Sequence, residues 1–130
     1  MKKPGKTAET EKVIKVLVAE DNDMNYKLIS LFLNDRCFEV KRAENGKEAV
    51  DYCAGGFLPD IVLMDIRMPE MDGFQATKII RTLFPLVPII AQTAYIDERL
   101  TTQKSGFSDV IYKPYDKKKL INVLSKHIVL

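Results

Sequence analysis

The chain has 130 residues, enough for one domain with a full core and too few for two ordinary ones. Its 46% hydrophobic and 29% charged content fits a soluble globular protein, and no apolar stretch approaches the roughly 20 residues of a membrane span. The net charge of +2 is carried by a tail: up to Lys15 five lysines face two glutamates, and the remainder, at −1, has no basic stripe for nucleic acid.

Residues 1–12 are Lys/Glu-rich, carry Pro4-Gly5 and read as a tail or linker; 13–130 read as one domain. The start, Met-Lys-Lys-Pro-Gly-Lys, lacks the apolar core of a signal peptide, so a cytoplasmic setting is expected. The first strand is Ile14 to Ala19, a run rich in β-branched residues that ends in Glu20-Asp21. Asn22 or Asp23 caps a helix whose apolar positions Met24, Leu28, Leu31 and Phe32 recur at helical spacing. A second strand spans Phe38 to Ala43, with Phe38, Val40 and Arg42 on the side opposite Glu39 and Lys41. Asn45-Gly46 opens a second helix with Ala49, Val50 and Cys53 on one face, stopped by Gly55-Gly56.

Pro59-Asp60 introduces the third strand, which ends at Asp65, and a loop from Ile66 to Asp72 follows. Ala76, Ile79, Ile80 and Leu83 pattern a third helix, and Pro88 to Ala91 a fourth strand. Asp97 to Ser105 is predicted as a short fourth helix, and Val110 to Tyr112 as a fifth strand closed by Lys113-Pro114. Leu120, Val123, Leu124 and Ile128 pattern the last helix. Cys37 and Cys53 show no metal spacing, and the one histidine, His127, is remote in sequence; both thiols read as small apolar side chains on helices in a reducing compartment.

Strands and helices thus alternate five times, which predicts an α/β fold: a parallel sheet with helices on both faces. With the flavodoxin-like strand order 2-1-3-4-5, strands one and three flank the topological switch point, where open α/β sheets bind ligands. Glu20, Asp21 and Asp65 then share one pocket, with Thr93 and Lys113 at its border. Two carboxylates about 5 Å apart at an effective dielectric near 20 repel by about 3 kcal/mol, and a single lysine leaves such a site short of positive charge. Oxygen-only ligands suit Mg²⁺, with Mn²⁺ as the alternative, and not zinc. A phosphoryl group fits as the remaining ligand, with Thr93 and Lys113 on its other oxygens.

Four ordered motifs carry a family resemblance over about Lys12 to Leu130: Val18-Ala19-Glu20-Asp21-Asn22, Leu63 to Gly73 with Met68-Pro69 inside it, Gln92-Thr93-Ala94, and Lys113-Pro114. Together they resemble a response-regulator receiver domain of two-component signalling. The resemblance implies that Asp65 is the phosphoacceptor, that Glu20, Asp21, Asp65 and the backbone carbonyl of Arg67 hold Mg²⁺, and that Thr93 and Lys113 engage the phosphoryl group. It also implies a cis Lys113-Pro114 bond, and a role for Arg67 and Tyr95 in admitting the hydrolytic water. The Glu20-to-Asn25 pattern is similar to receivers of hybrid histidine kinases. The implied partners are a histidine kinase or a histidine phosphotransfer domain, with a weak homodimer besides, and neither nucleic acid nor membrane. No output domain follows Leu130 within the chain.

Two departures stand out. Val110 occupies a position where the family often has Tyr or Phe, and Thr93 to Lys113 is about two residues shorter than expected, so the fourth helix should be short or displaced. Two other functions compete with that of an acceptor. A haloacid-dehalogenase-type phosphatase wants a second Asp two residues after its nucleophile, and Arg67 stands there instead; the chain is therefore expected not to be an enzyme. A pseudo-receiver acting only as a binding module would not need all the core residues that are present.

Overall fold

Parallel pairing places both faces of a strand under helices, and the apolar runs supply strands able to accept that burial. A computed structural model describes residues 12–35, 37–101 and 105–130 of the chain. Strands β1 (Ile14–Ala19), β2 (Phe38–Ala43), β3 (Ile61–Asp65), β4 (Ile89–Thr93) and β5 (Asp109–Tyr112) form one parallel sheet in the order β2-β1-β3-β4-β5. Between them lie helices α1 (Asp23–Phe32), α2 (Gly46–Ala54) and α3 (Gly73–Leu83), and α4 (Lys117–Ser125) follows β5. The register sets Val18 beside Leu63 and Asp65 beside Gln92, which aligns the polar strand ends on one edge.

Side chains alternate across the sheet and build two cores. Val16, Val18, Leu63, Ile90 and Ile111 pack with Ile29 and Leu33 around α1, and with Leu120 and Leu124 of α4. Leu17, Val62, Met64 and Ile89 pack on the opposite face with Ala49, Cys53, Ala76 and Ile80 of α2 and α3. Each helix starts on a side-chain cap: Asn22, Asn45, Asp72 and Asp116 accept from the backbone N–H three residues on. At α2 the Glu48 carboxylate also returns to the Glu44 N–H at 2.8 Å, satisfying a second donor at that end.

Several expectations are corrected. On α1 the buried residue is Ile29, with Tyr26 and Phe32 partly covered, while Met24, Leu28 and Leu31 are exposed. Both sets have helical spacing, so periodicity alone could not choose the helix's rotation about its axis. On α3 the stripe narrows to Ala76, Thr77 and Ile80, leaving Ile79 and Leu83 about two-fifths exposed, at 37% and 42%. Ile128 lies beyond α4 and packs against the core from the turn after it. Cys53 is buried on α2 as expected, but Cys37 is exposed in the turn before β2.

The predicted fourth helix is, in the described residues, one 3₁₀ turn at Glu98–Thr101; residues 102–104 lie outside them. Asp97 explains the tight turn. Its carbonyl accepts from Leu100 N–H at 3.0 Å, an i to i+3 bond, and its carboxylate takes Arg99 N–H at 2.9 Å. Except for Lys12, the polar segment 1–12 also lies outside the described residues. Among those residues no helix is long and apolar enough to cross a membrane.

Candidate phosphoacceptor pocket

Glu20 follows β1, buried except at Lys15, and Asp65 ends the fully buried β3; they are themselves 0% and 7% exposed. Their carboxylates and that of exposed Asp21 offer oxygens that all lie within 4.8 Å of one another, a group able to hold a metal ion. Lys113 reaches in from the loop after β5: its Nζ lies 2.7 Å from Glu20 Oε1 and 3.1 Å from Asp65 Oδ2. The Lys113-Pro114 bond is cis, as the resemblance implied.

Burial dominates the ionisation of the pocket. It pushes the Asp65 carboxyl up to about 6; Lys113 opposes the rise and the Glu20 charge adds to it. Burial also works against the charged form of Lys113, but pairing with Glu20 and Asp65 outweighs it and holds the ammonium above its ordinary value. Lys113 therefore stays protonated throughout the physiological range, as a built-in cation between two carboxylates.

Backbone packing fixes Asp65. A Cβ on Gly73 would come 2.2 Å from the Asp65 carbonyl oxygen, and Gly73 N–H donates to the Ile66 carbonyl at 2.9 Å. Only a glycine admits that approach, so α3 begins directly against the Asp65 peptide. Arg67 N–H lies 3.4 Å from Asp65 Oδ1, so the turn that carries the Arg67 carbonyl wraps the same carboxylate.

Thr93 is 3% exposed at the end of β4. Its hydroxyl is engaged by Tyr95, accepting from the N–H at 3.1 Å and lying 3.3 Å from the carbonyl oxygen. The Arg67 guanidinium stacks over the exposed Tyr95 ring at 4.3 Å, linking the loops after β3 and β4 at the pocket mouth. Val110, which takes the place of an aromatic, packs with Ile66, Ala91 and Leu100. The rings in this cluster come from elsewhere: Phe74 and Phe107 meet edge-on at 5.6 Å.

Three supporting residues were given no role by the sequence motifs, although Gln92 stands inside one of them. Arg42 Nε donates to the Glu20 carbonyl at 3.1 Å, while its guanidinium stacks on Tyr26. Gln92 and Tyr115 hydrogen-bond beneath the pocket, Tyr115 Oη donating to Gln92 Oε1 at 2.7 Å. The available signal was Gln92 itself, an amide closing the apolar run Ile89-Ile90-Ala91.

Comparison with known proteins agrees with this geometry. A family model described as the response regulator receiver domain matches residues 16–125. The hybrid signal transduction histidine kinase I of Dictyostelium discoideum is 40% identical over 88% of this chain. The chain spans 7% to 25% of the length of the first curated relatives it matches. The receiver domain of sensor histidine kinase PA1611 from Pseudomonas aeruginosa, with a magnesium ion coordinated in its active site cleft, superposes with a TM-score of 0.80 at 31% identity, covering 88% of this chain and 97% of that one. The chemotaxis protein CheY4 of Vibrio cholerae gives 0.82 at 25% identity, with 89% and 99% coverage.

Proposed function

The chain belongs to the response regulator receiver family of two-component signalling, and from that premise we propose that Asp65 is its phosphoacceptor, taking a phosphoryl group from a phosphohistidine. The observation that carries this reading is the convergence of Glu20, Asp21, Asp65 and Lys113 at the carboxyl ends of β1, β3 and β5. The folded unit is 13–130, preceded by the polar segment 1–12. The donor is a histidine kinase or histidine phosphotransfer domain, in a cytoplasmic setting. Resemblance to hybrid kinases favours a donor in the same polypeptide or assembly.

The donor set fits Mg²⁺, with Mn²⁺ in its place: three carboxylates, all oxygen, one exposed and two buried. Glu20, Asp21 and Asp65, with the Arg67 carbonyl, would hold the ion, which supplies charge neutralisation for the phosphoryl oxygens. The protein's own groups do the rest. Lys113 holds Asp65 Oδ2 and leaves the carboxylate aimed out of the sheet edge. At neutral pH an acceptor with a pKa of about 6 is mostly ionised and able to attack. The Asp65 oxygen forms its bond to phosphorus in line as the phosphorus–nitrogen bond breaks, and the imidazole departs with the bonding pair. Thr93 then leaves Tyr95 and donates to a phosphoryl oxygen, while Lys113 pairs with another. Positioning and electrostatics supply most of such a step, so this small set suffices.

The product is an acyl phosphate whose mouth is bordered by Arg67 and Tyr95. The residue two positions after Asp65 is Arg67, which cannot act as the general acid–base of a phosphatase, so the chain holds one phosphoryl group at a time and does not turn over external substrates. Intact-mass spectrometry after incubation with acetyl phosphate tests the assignment. One phosphoryl increment that requires Mg²⁺ and disappears in Asp65→Asn is expected. Retention of the increment in Asp65→Asn would place the acceptor elsewhere.

A further inference from the structure

The most unusual buried group outside the pocket is Gln92. It is 0% exposed, sits in a strand otherwise made of Ile89, Ile90 and Ala91 before Thr93, and pairs in register with Asp65. A buried primary amide is costly unless both of its ends are satisfied. Here both are. Nε2 donates to the Ala19 carbonyl at 3.4 Å, and Oε1 accepts from Tyr115 Oη at 2.7 Å. The orientation is dictated: the Ala19 carbonyl can only accept, so the amide nitrogen must face it, and the oxygen is left for the tyrosine.

The two ends of this bridge lead to the two sides of the pocket. Ala19 immediately precedes Glu20, and the shared peptide is held at its other end by Glu20 N–H on the Ala43 carbonyl at 3.0 Å. Tyr115 stands two residues after Lys113, whose own N–H is fixed on the Thr93 carbonyl at 2.8 Å. The amide therefore spans from the backbone that carries Glu20 to the loop that carries Lys113, beneath the 2.7 Å contact between those side chains. Resting on the acceptor reading above, we propose that Gln92 and Tyr115 are positioning residues: a buried strut that sets the separation of Glu20 and Lys113, and through it the affinity of the pocket for a divalent cation and its rate of phosphorylation. Neither residue touches the reacting atoms.

Paired removal separates positioning from stability. Tyr115→Phe leaves Gln92 Oε1 without its partner, Gln92→Leu takes the partner from both Tyr115 Oη and the Ala19 carbonyl, and each should lower the melting temperature. Gln92→Leu/Tyr115→Phe removes both groups, and with matched apolar shapes its melting temperature should return close to that of the parent. A purely structural role requires pocket function to return with stability. The strut predicts that it does not: the Mn²⁺ dissociation constant, read from the electron paramagnetic resonance of free Mn²⁺, stays raised by roughly tenfold in the double variant, as removal of a ligand's supporting hydrogen bond does at metal sites. Phosphorylation by acetyl phosphate with Mg²⁺ should slow in parallel.

A double variant that melts like the parent, binds Mn²⁺ like the parent and phosphorylates like the parent overturns the proposal. Tyr115→Phe alone, which keeps the ring and deletes one oxygen, serves as the test if the double variant does not fold: parental Mn²⁺ affinity in it also overturns the strut. Failure of the parent itself to take a phosphoryl group would count against the acceptor reading, and the Mn²⁺ titration would still decide the strut.

Discussion

The crossovers that leave β3 and β4 start side by side at the same edge, yet they are held by opposite means. After β3, Gly73 is pressed on the Asp65 carbonyl, and Gly46 is pressed on the Met71 carbonyl of the intervening loop, where a Cβ would again meet oxygen at 2.2 Å. Arg81 fastens the far end of α3, with Nε on the Gly106 carbonyl at 2.9 Å and further bonds to Val87 and Ser108. After β4 the described residues hold a 3₁₀ turn at Glu98–Thr101, and Ile96 before it is 88% exposed. That turn is secured by side-chain pairs near the surface: Asp97 with Arg99 at 2.7 Å, Arg99 over Phe74, and Arg67 over Tyr95. Close-packed backbone has no cheap alternative, whereas exposed ion pairs contribute little. Asp65 is thus built on the rigid side, and the loop that holds Thr93 through Tyr95 is the side that can rearrange.

The sharpest way to break this contrast is to press on both sides and compare. Gly73→Ala should destabilise the protein by about 3 kcal/mol in chemical denaturation, because the methyl group collides with backbone that cannot retreat. Arg99→Ala, in the exposed turn, should leave the same unfolding midpoint unchanged. Equal effects would erase the distinction. Of similar size is the pH dependence of Asp65. Burial raises the Asp65 carboxyl from 3.8 to about 6, so the folded protein holds this proton more tightly than the unfolded chain. Its contribution to stability is fully present below about pH 4 and is lost as pH rises through about 6, which amounts to about 3 kcal/mol. Metal-free parent should show that loss relative to Asp65→Asn when the two are melted side by side across this range; superimposable profiles would contradict it. The smallest effect belongs to the mouth. Tyr95→Ala removes the ring beneath Arg67 and should shorten the lifetime of the acyl phosphate by about fivefold, the kinetic equivalent of one exposed cation–π contact, with phosphorylation by acetyl phosphate retained. A lifetime that is unchanged or longer would show that the pair does not shield the pocket.

What could be read in the sequence follows the same division. β1, β2 and β3 appear within a residue of their predicted bounds because apolar runs between turn residues leave little choice, and Asn22, one of the two caps expected for α1, caps it through a purely local bond. The strand-end carboxylates were legible for that reason: their position depends only on where a strand stops. The rotation of α1 was not, since Ile29 and Leu28 differ only in which side meets Val18 and Leu63. Nor was the 3₁₀ turn, which a short connection and the Asp97 carboxylate impose over a helical pattern. The Gln92–Tyr115 bridge joins residues 23 apart and becomes visible only once β4 and the loop after β5 are neighbours.

Lys113 has a consequence for how the molecule rests between signals. With its ammonium shared by Glu20 and Asp65, the idle pocket carries its own counter-ion and stands assembled before any divalent cation or phosphoryl group arrives. Arrival is then an exchange of partners by a lysine already in place. Departure is the reverse exchange. The protein can be reset to its starting arrangement each time the acyl phosphate is lost, without dismantling the edge of the sheet on which the next event depends.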